Sequence, residues 1–361
     1  MMKAAFIPWD DSIHNNNIFI PKYQGHEDSH VLLKKVFQDN GDDINTIDMY
    51  EDLEEVDLFL FSIVHYQWLD KVVKAGLIDR CVYCSGEPPV VKPLNCFEGY
   101  QKLQKIFPYI MTFDDELVDG KRIFKRILPY YFEPEFGKVP FEKRKLLVNI
   151  SGNKKSEHPK ELYSEREKVV SFFEKKYPEH ITLYGPGWSK KEHPSYCGYI
   201  DDKKDAYYYH KFALSLENMH DVRGYITEKI FDCFDLGIVP IYWGASDIEE
   251  YVPKECFIDY SKFGSMEELA EYLFNMDESE YNKYLEAIQK LLHSDIDILF
   301  SSDTFYEQIK TVYHAEPVKD FSVSKEQCRM IAKNARKELL CAKRDNMVLN
   351  TKKKIKKLIG R

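Results

Sequence analysis

Phe212-Ala-Leu-Ser-Leu-Glu-Asn-Met-His-Asp-Val-Arg-Gly-Tyr-Ile-Thr-Glu-Lys-Ile230 runs on, a few residues later, into Gly237-Ile-Val-Pro-Ile-Tyr-Trp-Gly244. The apolar run Phe212 to Leu216 predicts a strand that ends in Glu217 and Asn218. A glycine-containing loop follows, and then a helix from Glu228 to Leu236, with Thr227 as its N-cap, Ile230, Cys233 and Phe234 on one face, and Gly237 as its stop. A second strand, Val239 to Trp243, completes a βαβ unit, so the sheet is parallel and covered by helices. Ligands of open α/β sheets sit beyond the carboxyl ends of the strands, and the free N–H groups of a helix N-terminus favour an anion. Glu217, Asn218, Tyr225, Glu228 and Lys229 all fall at that edge, with Lys229 placed to take up pyrophosphate charge. Taken alone, the same residues read slightly better as a dipole-satisfying Glu and a solvated Lys.

Outward from this unit, the alternation fills the chain. Strands are predicted at Lys3 to Pro8, Ile44 to Tyr50, Val56 to Phe61, Arg80 to Cys84 and Tyr109 to Phe113, with helices at Val31 to Gln38, Gln67 to Leu77 and Phe97 to Phe107. Pro134, Gly137, Pro140 and the run Glu142-Lys-Arg-Lys145 form a polar break, and the pattern restarts at Leu146 to Ile150. The expected fold class is α/β, with two Rossmann-like domains facing a central cleft and a basic C-terminal tail. The expected boundaries are 1–140, 144–318 and 319–361.

Length and composition agree: 361 residues, 44% hydrophobic and 31% charged, lie within globular norms. The net charge of −9 hides an asymmetry, because residues 331–361 carry eleven Lys and Arg against Glu338 and Asp345. The rest is strongly acidic, which excludes general nucleic-acid binding. Eight cysteines, with no secretory signal at the N-terminus, are expected to be reduced thiols of a cytoplasmic protein. Cys81 and Cys84 lie in a strand, where positions i and i+3 face opposite sides, so they do not form a metal or redox pair. No apolar run approaches the roughly 18 residues of a membrane span.

The motifs Leu216-Glu-Asn218, Gly224-Tyr-Ile-Thr-Glu-Lys229, Ile238-Val-Pro-Ile-Tyr-Trp-Gly244 and Pro253 through Phe257-Ile258 closely resemble the signature of glycosyltransferase family 10, the α1,3/α1,4-fucosyltransferases, in its bacterial form. The resemblance implies a GT-B-like fold, GDP-fucose as donor, inversion at the anomeric carbon, and an N-acetylglucosamine- or glucose-containing acceptor of Lewis-antigen or other surface-glycan type. Carried over by position, the donor site is Asn218, Tyr225, Thr227, Glu228 and Lys229, with Arg166 on phosphate and Glu228 counted among the catalytic residues. One departure is Met219, where Ser or Thr is usual. The resemblance also makes Glu87, in Gly86-Glu-Pro-Pro89, the general base. Pro88 forces Glu87 out of the helical region and presents its carboxylate on a stiff turn; without the family it reads as a solvated residue. Alternative readings are a GT-B transferase using another nucleotide sugar, and a non-catalytic sugar-nucleotide or glycan binder.

The only Asp-x-Asp, Asp295-Ile-Asp297, stands far in sequence from both sites, so no metal or other cofactor is expected to be required and charge neutralisation falls to Lys229, Arg166 and helix N–H groups. The tail interleaves Ile355, Leu358 and Ile359 with Lys and Arg. Residues 351–361 are therefore expected to meet an anionic membrane surface, at the cytoplasmic face where a lipid-linked acceptor would be found.

Overall fold

The computed structural model describes residues 1–21 and 28–341 of the chain. Its first sheet is built from β1 (Lys3–Ile7), β2 (Asp43–Thr46), β3 (Leu58–Phe61), β4 (Cys81–Cys84), β5 (Tyr109–Thr112) and β6 (Ile123–Lys125), in the order β2-β1-β3-β4-β5-β6. The second contains β7 (Lys145–Ile150), β8 (Ile181–Tyr184), β9 (His210–Leu216), β10 (Val239–Trp243) and β11 (Ile258–Asp259), in the order β8-β7-β9-β10-β11. All these pairings are parallel, with Ala4 opposite Leu58 in one sheet and Leu147 opposite Phe212 in the other. Each sheet reverses its strand order once, at β1/β3 and at β7/β9, and such a reversal opens a crevice at the carboxyl edge. Two Rossmann-like sheets in this arrangement make the α/β, GT-B-like fold expected from the sequence.

Burial on both faces explains why the strands read as nearly unbroken apolar runs. Ala4, Phe6, Leu58, Leu60, Val82 and Cys84 enter one core, whereas Ala5, Ile7, Phe59, Phe61, Cys81 and Tyr83 enter the other. Cys81 and Cys84 thus face opposite sides of β4, and all eight cysteines are free thiols. β6 is absent from the sequence-based reading, because its three residues, Ile123–Lys125, set among Lys121, Arg122 and Arg126, are too few to show a period.

Helices α1 (Ser29–Asp39), α2 (Tyr66–Lys74) and α3 (Phe97–Leu103) accompany the first sheet. In the second half come α4 (Tyr163–Lys176), α5 (Lys204–Tyr207), α6 (Glu228–Leu236), α7 (Met266–Asn275), α8 (Glu278–Leu292) and α9 (Ile296–Leu299). The chain then returns. α10 (Ser302–Tyr313) adds Phe305, Tyr306, Ile309 and Val312 to the first sheet's core, with the Tyr306 ring 4.9 Å from that of Phe37. A last helix, α11 (325–341), buries Ile331 on the opposite face, and its Glu338 accepts from the N–H groups of Tyr66 and Gln67 at the start of α2, at 3.2 and 3.0 Å. Residues 302–341 therefore pack with the first domain, so the boundaries at 318 and 319 read from the sequence cut through a single packed body. An amphipathic helix shows that it packs, but not on which sheet. Among the described residues no helix is long and apolar enough to cross a membrane, and segment 351–361 lies outside them.

Candidate active site

Between the carboxyl edges of the two sheets lies a cavity of about 440 Å³. Glu87, Arg166, Asn218, Tyr225, Thr227, Glu228 and Lys229 all line it, so the residues singled out in the sequence converge on one place. On the second domain's side it opens at the β7/β9 reversal, where Ile150, Ser151 and Gly152 face Asn218. A larger hollow of about 890 Å³, lined by Phe257, Tyr272 and Tyr284, contains none of these residues.

The second domain's wall is built around Glu217. Its carboxylate is fully buried and accepts from the Thr227 N–H at 2.9 Å and the Thr227 hydroxyl at 2.8 Å, while Lys229 Nζ stands 3.1 Å away. Thr227 also caps α6, its hydroxyl accepting from the Lys229 N–H at 3.4 Å, as its position before the helix predicts. Burial lowers the Lys229 pKa, but Glu217 and Glu228 outweigh it and hold the ammonium above its ordinary value. Glu228, its side chain 56% exposed, would be raised by partial burial; Lys229 and Lys203 overcome this and bring it down to about 2. Lys203 is in turn ion-paired with Asp232, which accepts from Tyr130 Oη at 3.0 Å and so ties α6 to the segment joining the domains.

Arg166, 4% exposed on α4, is placed behind this wall rather than freely in it. Its Nη2 donates to the carbonyls of Leu216 and Glu217 at 2.7 and 2.6 Å and to Asn218 Oδ1 at 3.1 Å. One guanidinium thus secures the end of β9. Asn218 Nδ2 donates to Tyr225 Oη at 3.3 Å, and the Tyr225 ring packs 4.8 Å from Phe113 of the first domain. The loop between them requires Gly224: its φ is +71°, and a Cβ there would lie 2.4 Å from the Phe113 carbonyl oxygen.

The first domain's wall follows β4. Asn95 Nδ2 donates to the Glu87 carbonyl at 2.6 Å, and Tyr83 Oη donates to Asn95 Oδ1 at 2.8 Å, so the turn that carries Glu87 is fastened to the sheet. The Glu87 side chain is exposed to the cleft. Desolvation raises its pKa above the ordinary 4.5, with Lys154 and Lys229 opposing the rise. Beside it, Arg126 leaves the end of β6 and lines the same wall.

Arg126, Lys154, Lys203 and the loop Ser151-Gly152 also border the cavity but were not selected from the sequence. Ser151, Gly152 and Lys154 follow β7, so the carboxyl-edge rule applied to that strand points to them; Arg126 follows the unrecognised β6, and Lys203, in the turn before α5, carries no such signal. The turn after β8 braces the Ser151 loop: Trp188 Nε1 donates to the Ser151 carbonyl at 2.6 Å. Asp295 and Asp297 sit exposed at the start of α9 and do not border the cavity. Among the described residues no cluster of three metal-binding side chains occurs.

The model of glycosyltransferase family 10 (fucosyltransferase), C-terminal part, matches residues 141–334, more than half of the chain. The chain belongs to this family. An alpha-(1,4)-fucosyltransferase of Arabidopsis thaliana is 43% identical over 95 residues, covering 26% of this chain and 23% of the plant protein. A 4-galactosyl-N-acetylglucosaminide 3-alpha-L-fucosyltransferase 9 of Mus musculus is 32% identical over 157 residues, covering 42% of this chain and 37% of the mouse protein. The match thus spans about a quarter to a third of these relatives' own length. A crystal structure of an alpha1,3-fucosyltransferase with GDP superposes with a TM-score of 0.55 at 15% identity, covering 90% of this chain and 92% of that one, a likeness of fold. In this family 10 chain the matched segment holds the whole second wall, whereas Glu87 and Arg126 lie outside it.

Proposed function

We propose that this family 10 protein transfers L-fucose from GDP-fucose to a hydroxyl of an N-acetylglucosamine- or glucose-containing glycan, in α1,3 or α1,4 linkage and with inversion. The observation that carries the proposal is one cavity with the family's cation-bearing wall on one side and the Glu87 carboxylate on the other. The relatives are named fucosyltransferases, and one superposed structure is a GDP complex.

In this reading, Lys229 and the N–H groups opening α6 hold the diphosphate, with Lys154 and the free edge of Arg166 beside them. Glu228, ionised at every working pH, accepts hydrogen bonds from the donor. Asn218 and Tyr225 set the edge against which it rests. Glu87 takes the proton of the acceptor hydroxyl; that oxygen bonds to the anomeric carbon as the bond to the β-phosphate oxygen breaks, and the electron pair leaves with GDP. A positioned base contributes about 10²–10⁴ in rate. A pKa raised by desolvation suits it, since a stronger base takes a proton more readily. The fixed cations take the role a metal fills elsewhere, so transfer is expected to survive a chelator. An acceptor carried on lipid at the cytoplasmic face would give residues 351–361 their purpose.

A glycan array challenged with GDP-fucose, followed by NMR assignment of the product's anomeric configuration, tests this. Inverted fucosyl product supports it. Transfer only from a different nucleotide sugar, or GDP binding without turnover across the panel, replaces it with another transferase or with a binder.

A further inference from the structure

Arg126 forms no ion pair among the described residues. Its Nη1 donates to the Cys84 carbonyl at 3.1 Å, and its guanidinium lies 5.1 Å from the centre of the Phe305 ring. Its Nε is buried without a hydrogen-bond partner, none of the ion pairs among the described residues includes it, and the carboxylate whose charge reaches it is that of Glu87 on the same wall. Arg126 as a whole is partly exposed to the cavity; its guanidinium stays protonated in proteins, so the charge persists there with no ion pair to offset its partial desolvation. The other cations deep in this cavity are compensated: Lys229 by Glu217 and Glu228, Lys203 by Asp232, and Arg166 by two carbonyls and Asn218. Arg126 nevertheless borders the cavity on the wall of Glu87, close enough that a Cβ on Gly86 would stand 2.9 Å from its Nη1.

We propose that Arg126 is an anion-binding residue that holds a carboxylate or phosphate group of the ligand entering the cleft. The planar, many-donor guanidinium matches either group. Its place on the wall of the proposed base, across from the donor cradle, favours an acidic group on the acceptor; the donor's diphosphate is the other source of the same chemistry. This deepens the transferase reading, on which the acceptor assignment rests, by naming an acidic acceptor sugar.

The test uses the full chain and equilibrium binding, so it does not depend on turnover. Wild type, Arg126→Gln and Arg126→Lys are titrated with GDP by calorimetry and with glucuronate, glucose 6-phosphate and glucose by ligand-observed NMR. In Arg126→Gln, binding of the acidic sugars is expected to weaken by about 10- to 100-fold, with glucose and GDP within about twofold of wild type and Arg126→Lys intermediate. Loss confined to GDP keeps the anion site but assigns it to the donor. Acidic-sugar and GDP binding that stay at wild-type strength in Arg126→Gln overturn the proposal, as does wild type failing to prefer the acidic sugars over glucose while GDP binding is unmoved. If Arg126→Gln melts well below wild type, Arg126→Lys decides: unchanged binding of every anion in that folded variant equally overturns it. Absence of fucosyl transfer from wild type would remove the transferase reading and leave these binding outcomes standing.

Discussion

On the second domain's wall Lys229 stands 3.1 Å from Glu217 and 3.4 Å from Glu228, and Thr227 braces the group with both its N–H and its hydroxyl. On the first domain's wall Glu87 and Arg126 form no ion pair among the described residues; the Glu87 carbonyl accepts from Asn95, and Arg126 is held by the Cys84 carbonyl and the Phe305 ring. The difference separates two tasks. A charged cradle closed on itself keeps its shape before a ligand arrives, which suits a constant diphosphate. A wall with open charges is completed by what binds, which suits the reacting hydroxyl and its surroundings.

Replacing Glu87 by Gln removes the proposed proton acceptor and nothing from the cradle. Turnover at saturating donor should fall by about 10²–10⁴; turnover near wild type would take Glu87 out of the chemistry. Lys229→Ala attacks the opposite wall. GDP affinity should weaken by about 10- to 100-fold through loss of a charge-assisted contact. Because Glu217 is left buried without its cation, about 3–5 kcal/mol of stability should go as well, visible as a lower Tm. Unchanged calorimetry and melting would show that the cradle is not built around this pair.

The second wall was legible in the sequence because its parts are contiguous: strand end, loop, cap and helix start fall within Leu216 to Lys229, where local rules suffice. Glu217 stood in that stretch too, yet its role as the buried centre depends on Thr227 folding back over it, ten residues on. The first wall is assembled from separate strand ends. Glu87 was reached only through the family resemblance, and Arg126 was missed with β6, whose three residues show no alternation. The return of α10 to the first sheet left no local trace, since the face of Phe305, Ile309 and Val312 would serve either sheet.

A pH profile sharpens the comparison further. As the proposed base Glu87 must be ionised, and desolvation sets its pKa above 4.5, so turnover should fall on acidification through a value above that, while Glu228, brought down to about 2, keeps its charge over the same range. The acid limb should vanish from the residual rate of Glu87→Gln. Survival of the same limb would assign it to another group. The smallest effect expected concerns neither wall: removing residues 351–361 should end salt-sensitive cosedimentation with anionic vesicles and leave transfer to a soluble acceptor within about twofold, each lysine or arginine contributing about 1 kcal/mol at the membrane. Equal vesicle binding by the full and shortened chains would refute the membrane role.

The division of labour between the walls is tested most directly by calorimetric titration of GDP into Glu87→Gln, beside wild type and Lys229→Ala. GDP should bind Glu87→Gln as tightly as wild type, although its transfer is lost, and should bind Lys229→Ala at least tenfold more weakly. A loss of GDP affinity in Glu87→Gln as large as that in Lys229→Ala would contradict the account, because the carboxylate would then belong to the donor site.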